Sequence, residues 1–177
     1  DGWQSWNEMF PGEAEKDSIL ERTTRPNSPS FSAEGISEQD YVAVYTDTNR
    51  AFAWEGHKPM GVQVTQKSYA WSYSYAEDFV IFDYLIKNVS HLVGPAKTFR
   101  KLYMGVYIDG DCGNTSIPNY FADDITGFLR TNADGDTVNV AWIKDNDGDN
   151  GLSPGVTGVR VLFPDPKSIA YNWWDPP

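Results

Sequence analysis

Residues 145–151 read DNDGDNG, with Asp145, Asp147 and Asp149 at alternate positions and no basic residue among them. Three like charges so close repel one another unless a cation lies between them. Side chains at alternate positions of a tight turn converge while Gly supplies the bend, which is how oxygen ligands are gathered around calcium. The pattern departs from a helix–loop–helix calcium hand: Gly151 comes one place late, and no Glu stands at the closing position. The expectation is therefore a calcium-type turn between strands. The same alternation recurs in DGDCGN (109–114), with Asp109 and Asp111, and in NADGD (132–136), with Asp134 and Asp136. These pairs would close the same site or make others. The competing reading is a set of solvated turns, because Asp, Asn and Gly are ordinary turn formers. Cys112, His57 and His91 are too few and too dispersed for a softer metal, so calcium is the cofactor expected.

A second stretch, SYAWSYSY (68–75), places Tyr69, Trp71, Tyr73 and Tyr75 on one face of a strand and small residues on the other. Such a row could stack sugar rings, making the chain a carbohydrate-binding module, or it could be core. A fully exposed ladder of four rings is an aggregation hazard, which favours the core. Sequons occur at Asn88 and Asn114 and matter only in a glycosylating pathway. GLSPG (151–155) mimics a nucleophile elbow around Ser153, but Pro154 lacks the N–H that would serve as an oxyanion donor. Asp123 and Asp124 are adjacent and would point to opposite faces of a strand, so they make a poor acid/base pair. The sequence is read as that of a non-enzyme.

The elements that must position these residues are strands. Apolar residues make up 40% of the 177, and aromatic residues a high 15% that favours strands and binding surfaces. The formal charge of −11 argues against a nucleic-acid partner. Most of that charge lies between 109 and 149, where nine Asp face only Arg130 and Lys144. No apolar run reaches the roughly 18 residues of a membrane span. Residues 1–40 are polar and proline-broken and read as an extended arm, with one short strand around 19–22. From Tyr41 the texture is β: strands are expected at 41–46, 60–75, 78–89, 99–109, 137–143 and 157–163, the third apolar on both sides like a central strand. No helix pattern of any length appears. The expected fold is an all-β antiparallel β-sandwich, jelly-roll or immunoglobulin-like, over residues 41–177 with long Asp-rich loops. Trp173 and Trp174 near the end suggest part of a longer chain.

Together, ISEQDYVAVYTDT (36–48), PMGVQVTQKSYAWSYSYAEDFVIFDYLIKNV (59–89), YMGVYIDGD (103–111), DDITGF (123–128) and KDNDGD (144–149) resemble a β-sandwich region of large secreted or surface multidomain bacterial proteins, most of them uncharacterised. The resemblance implies the fold class and an extracellular, cell-surface location. The resulting expectation is a calcium-stabilised structural or adhesion domain. Its partners would be neighbouring domains or copies of the same protein, with polysaccharide as the partner in the alternative reading.

Overall fold

A computed structural model describes residues 19–48, 58–108, 110–120, 122–163 and 169–172. The chain divides into two compact units between Leu102 and Tyr103. Both are antiparallel β, and the described helical residues form only two short 3₁₀ turns, at Ser90–Leu92 and Gly148–Gly151. No helix among the described residues is long and apolar enough to cross a membrane.

The first unit is a four-stranded sheet in the order β1 (Leu20–Arg22), β2 (Gln39–Thr46), β3 (Val62–Ala70), β4 (Ile81–Asn88). The short strand expected near 19–22 is β1, paired with β2 through Leu20↔Val42. Alternation along β2 sends Asp40, Val42 and Thr46 inward and leaves Tyr41 and Tyr45 exposed. The buried apolar side chains among the described residues, Val42, Tyr69, Ala76 and Val89, all belong to this unit. Asp47 ties off the β2–β3 connection: its carboxylate accepts the Met60, Gly61 and Val62 amides at 2.6, 3.0 and 2.8 Å. Gly61 holds φ +83°, and a Cβ there would lie 2.3 Å from the Ser90 Cα. Only glycine fits that backbone approach.

Three expectations change here. The strand expected over 60–75 stops at Ala70, and residues 73–78 form bends and turns. β4 lies at the end of the strand order with Phe82 and Leu85 exposed, so it is not a central strand covered on both sides. Residues 99–108 carry no strand, and Tyr103, Met104, Val106 and Tyr107 are exposed. The common cause is that β-propensity expresses itself only where a neighbouring strand offers a paired edge and a covered face.

The second unit is a three-stranded sheet in the order β5 (Ile125–Thr131), β6 (Thr137–Lys144), β7 (Val156–Arg160). The 3.6-free, turn-bounded texture of 137–143 and 157–163 gave β6 and β7, whereas β5 was not expected as a strand. Trp142 is registered between Gly127 of β5 and Gly158 of β7. A Cβ on Gly127 would meet the indole Cζ2 at 2.4 Å, so the ring lies over the glycine backbone and covers it. A β-bulge opposite Arg130 puts Asn139 at φ +47°. Tyr171 returns to the sheet, stacking on Phe128 at 5.5 Å with its hydroxyl 2.7 Å from Thr126 Oγ1. Trp173 and Trp174 lie outside the described residues.

Candidate metal centre

The β5–β6 register decides which acids meet. Ile125 pairs with Lys144 at the open end of the hairpin, so the residues just beyond, Asp124 and Asp145, leave the ladder side by side. The opposite end is the 132–136 turn, six strand residues away, or roughly 20 Å at the usual strand rise. There Asn132 Oδ1 accepts the Asp134 and Asp136 amides at 3.1 and 2.7 Å, and Asn132 Nδ2 donates to Asp136 Oδ2 at 3.2 Å. Gly135 supplies the positive φ. Asp134 and Asp136 thus make an exposed hairpin turn and do not close on the 145–149 carboxylates, correcting one of the two roles expected of them.

At the open end, one oxygen each of Asp123, Asp145 and Asp147 lies within 4.8 Å of the others. Asp123 and Asp147 are exposed; Asp145 is 2% exposed. Asp145 Oδ1 accepts the Gly148 amide at 2.5 Å, while its Oδ2 is buried with no hydrogen-bond partner. Asp124 repeats the pattern: Oδ2 accepts the Cys112 amide at 2.8 Å, and Oδ1 is buried without a partner. Asp149 is differently employed. Its Oδ2 accepts the Asn114 amide at 2.7 Å and the Ser153 hydroxyl at 2.9 Å. Its own amide donates to Asp147 Oδ1 at 2.8 Å, and Asp149 and Asn150 both take left-handed backbone conformations. The alternating triad therefore splits: Asp145 and Asp147 turn toward Asp123, and Asp149 braces the segment at 112–114. Asp111 is exposed near Cys112 and Asp124; Asp109 lies outside the described residues.

The electrostatics follow from this geometry. Burial, reinforced by the Asp149 carboxylate and opposed by the Gly148 amide, pushes the Asp145 carboxyl above the usual carboxylate range. Burial also raises Asp124 against the Cys112 amide, with Asp123 and Asp111 adding to it. Asp149 moves down, held chiefly by the Asn114 amide. Burial and then the Asp124 charge raise the Cys112 thiol. Among the described residues no Lys or Arg forms an ion pair with these acids. Lys144 directs its ammonium at the Asn146 carbonyl instead, at 3.5 Å. Carboxylates gathered with orphaned oxygens and no protein cation form a hard, oxygen-only donor set.

Asp123 was the functional candidate that spacing missed. The clue available was NADGD as a hairpin turn: folding the chain about it aligns Asp123 and Asp124 with the 145 turn. Ser153, the false elbow, serves as a donor to Asp149.

The aromatic candidates separate as well. Tyr69 is buried on β3, and Trp71, half-buried beyond the strand end, packs on Phe79 at 6.4 Å. Tyr73 and Tyr75 stack on each other at 5.5 Å and 9° in the turn, Tyr75 being 79% exposed. The four rings do not line one strand face, because the strand ends before three of them. Asn88 of the first sequon is exposed, with its amide donating to the Lys97 carbonyl at 2.8 Å and Oδ1 accepting from Ser90. Asn114 caps its own turn through Ser116. No protein-family model, curated protein or solved structure matches the chain.

Proposed function

We propose that this chain is a calcium-stabilised structural or adhesion module of a secreted or cell-surface protein, with the ion held by Asp145, Asp147 and Asp123. One observation carries the reading: Asp145 is buried with an unpartnered Oδ2, and one of its carboxylate oxygens lies within 4.8 Å of an oxygen of Asp123 and of Asp147. A buried acceptor left unsatisfied costs about 1–3 kcal/mol, more for a charge, and a hard cation removes that penalty and the mutual repulsion together. Backbone carbonyls and water would complete the shell. A site with Kd on the order of 10⁻⁴ to 10⁻³ M suffices outside the cell. The location and the structural or adhesive role follow the sequence resemblance, and the sandwich expectation belongs with them, since antiparallel sheets are its raw material. Exposed Phe82 and Leu85 on β4 suit neighbouring domains or further copies as partners. Isothermal titration with calcium chloride, beside melts in calcium and in excess chelator, tests the reading. Superimposed melts and no heat of binding would sink it.

Tyr73 and Tyr75 favour a second reading, carbohydrate binding, because their stacked rings are exposed. Retention on a polysaccharide array that is lost in Tyr75→Ala, without a change in melting temperature, would bring that reading forward.

A further inference from the structure

Residues 110–120 contain no strand, yet their backbone is fastened to the acidic end of the β5–β6 hairpin. The Cys112 amide donates to Asp124 and the Asn114 amide to Asp149. Between them Gly113 takes φ +121°, and a Cβ there would stand 2.6 Å from the Tyr120 carbonyl and 3.2 Å from Asp145 Oδ2 and Asp149 Oδ2. The segment is thus pressed against the very carboxylates that repel one another, and it closes over the unpartnered Asp145 oxygen. The acids that accept from the strap, Asp124 and Asp149, are immediate neighbours of those that would hold the ion. Asp124 follows Asp123, Asp149 bears on Asp145, and Gly113 packs against Asp145 Oδ2, so ion occupancy and strap position are coupled through charge.

Resting on the calcium reading above, we propose that the divalent cation is a latch: its binding holds residues 110–114 on the hairpin end, and its loss frees them and uncovers Cys112. With the ion in place the charge of Asp123, Asp145 and Asp147 is neutralised, and the neighbouring Asp124 and Asp149 carboxylates stay aimed at the two strap amides. Without it the Asp124, Asp145 and Asp149 charges push apart and carry their hydrogen-bonded strap with them. Local opening, unlike unfolding, need not disturb the β5–β7 ladder.

Cys112 is the chain's single cysteine, half-buried in the strap, and so reports on the latch without ambiguity. Maleimide labelling of the full chain at fixed pH is compared in calcium chloride and in chelator. With calcium at ten times its Kd, labelling should slow about 10-fold, the factor by which a bound ligand suppresses opening. Neutralising nearby carboxylates without closing the strap would have the opposite sign, since the thiol would ionise more readily and label faster. Asp145→Asn, which removes both a ligand and one of the repelling charges, should label at one rate that no longer depends on calcium. Gly113→Ala, which keeps every carboxylate but lifts the strap, should label at the fast rate in both buffers, and it covers the case in which Asp145→Asn does not fold. Calorimetry on the same samples separates the two claims. Calcium heat with equal or faster labelling overturns the latch and leaves the calcium reading standing, whereas no heat removes both.

Discussion

The two units treat buried acid in opposite ways. In the first, the buried or bridging carboxylates of Asp40, Asp47 and Glu38 are answered by the protein itself. Asp40, 2% exposed, accepts the Ile36 and Ser37 amides at 2.7 and 2.8 Å and the Ser37 hydroxyl. Asp47 takes three amides, and Glu38 takes Arg25 and both donors of Ser72. In the second unit the only buried side chains among the described residues are Asp145 and Asp149, and Asp145 keeps an orphaned oxygen. Among the described residues of this sheet, the most protected side chains are carboxylates and not apolar groups. The lesson is that an acid turned inward is a stabilising part only when its donors are complete; otherwise it awaits a cation from solution.

The largest effect should come from removing a self-satisfied acid. Asp40→Ala strands three donors in a buried place and should cost about 3 kcal/mol, by the same amount in calcium and in chelator. Chemical denaturation in both buffers checks it; a calcium-dependent loss would break the contrast between the units. Next comes Asp145→Asn. It should abolish the calcium increment, which is about 2.7 kcal/mol at a hundredfold excess over Kd, while leaving stability in chelator unchanged or higher because a buried charge has gone. A large loss in chelator would mean that Asp145 is already satisfied, and the comparison would collapse.

A smaller effect concerns pH. The Ser72 hydroxyl and amide, then Arg25, lower the Glu38 carboxyl from 4.5 to about 2. A folded-state value below the unfolded one stabilises fully above about pH 4.5, and the gain is lost as pH falls toward about 2. Melting temperature against pH should decline across that window, and Ser72→Ala should flatten the decline; an unchanged slope would deny Glu38 its part. The smallest effect sharpens the site's boundary. Asp134→Ala, at the far end of the hairpin and exposed, should change stability by no more than about 0.5 kcal/mol and leave calcium affinity alone.

Much of the strand content was legible because alternation is a local property. β1, β2, β6 and β7 could be read from runs such as YVAVYT and TVNVAWI, whose side chains change face at every residue. β5 was not, since ITGFLRT carries glycine and arginine where alternation should be cleanest, and its pairing rests on Trp142 covering Gly127 from the next strand. The end of β3 was missed for the opposite reason: SYAWSYSY alternates well past Ala70, but the chain leaves the sheet there, and Glu38 captures Ser72.

The sequence by itself determined that acid is concentrated at 109–149, that no matching basic charge accompanies it, and that Asp145 and Asp147 would share one turn. Tertiary structure alone decided the membership of the cluster. Pairing Ile125 with Lys144 brought Asp123 and Asp124 to that turn and sent Asp134 and Asp136 to the far end, while Asp149, still beside Asp145, is bonded to the strap. The reason is physical: spacing along a chain fixes which side chains share a face, but charges meet across strands, and only hydrogen-bond register says which strands bring which residues together.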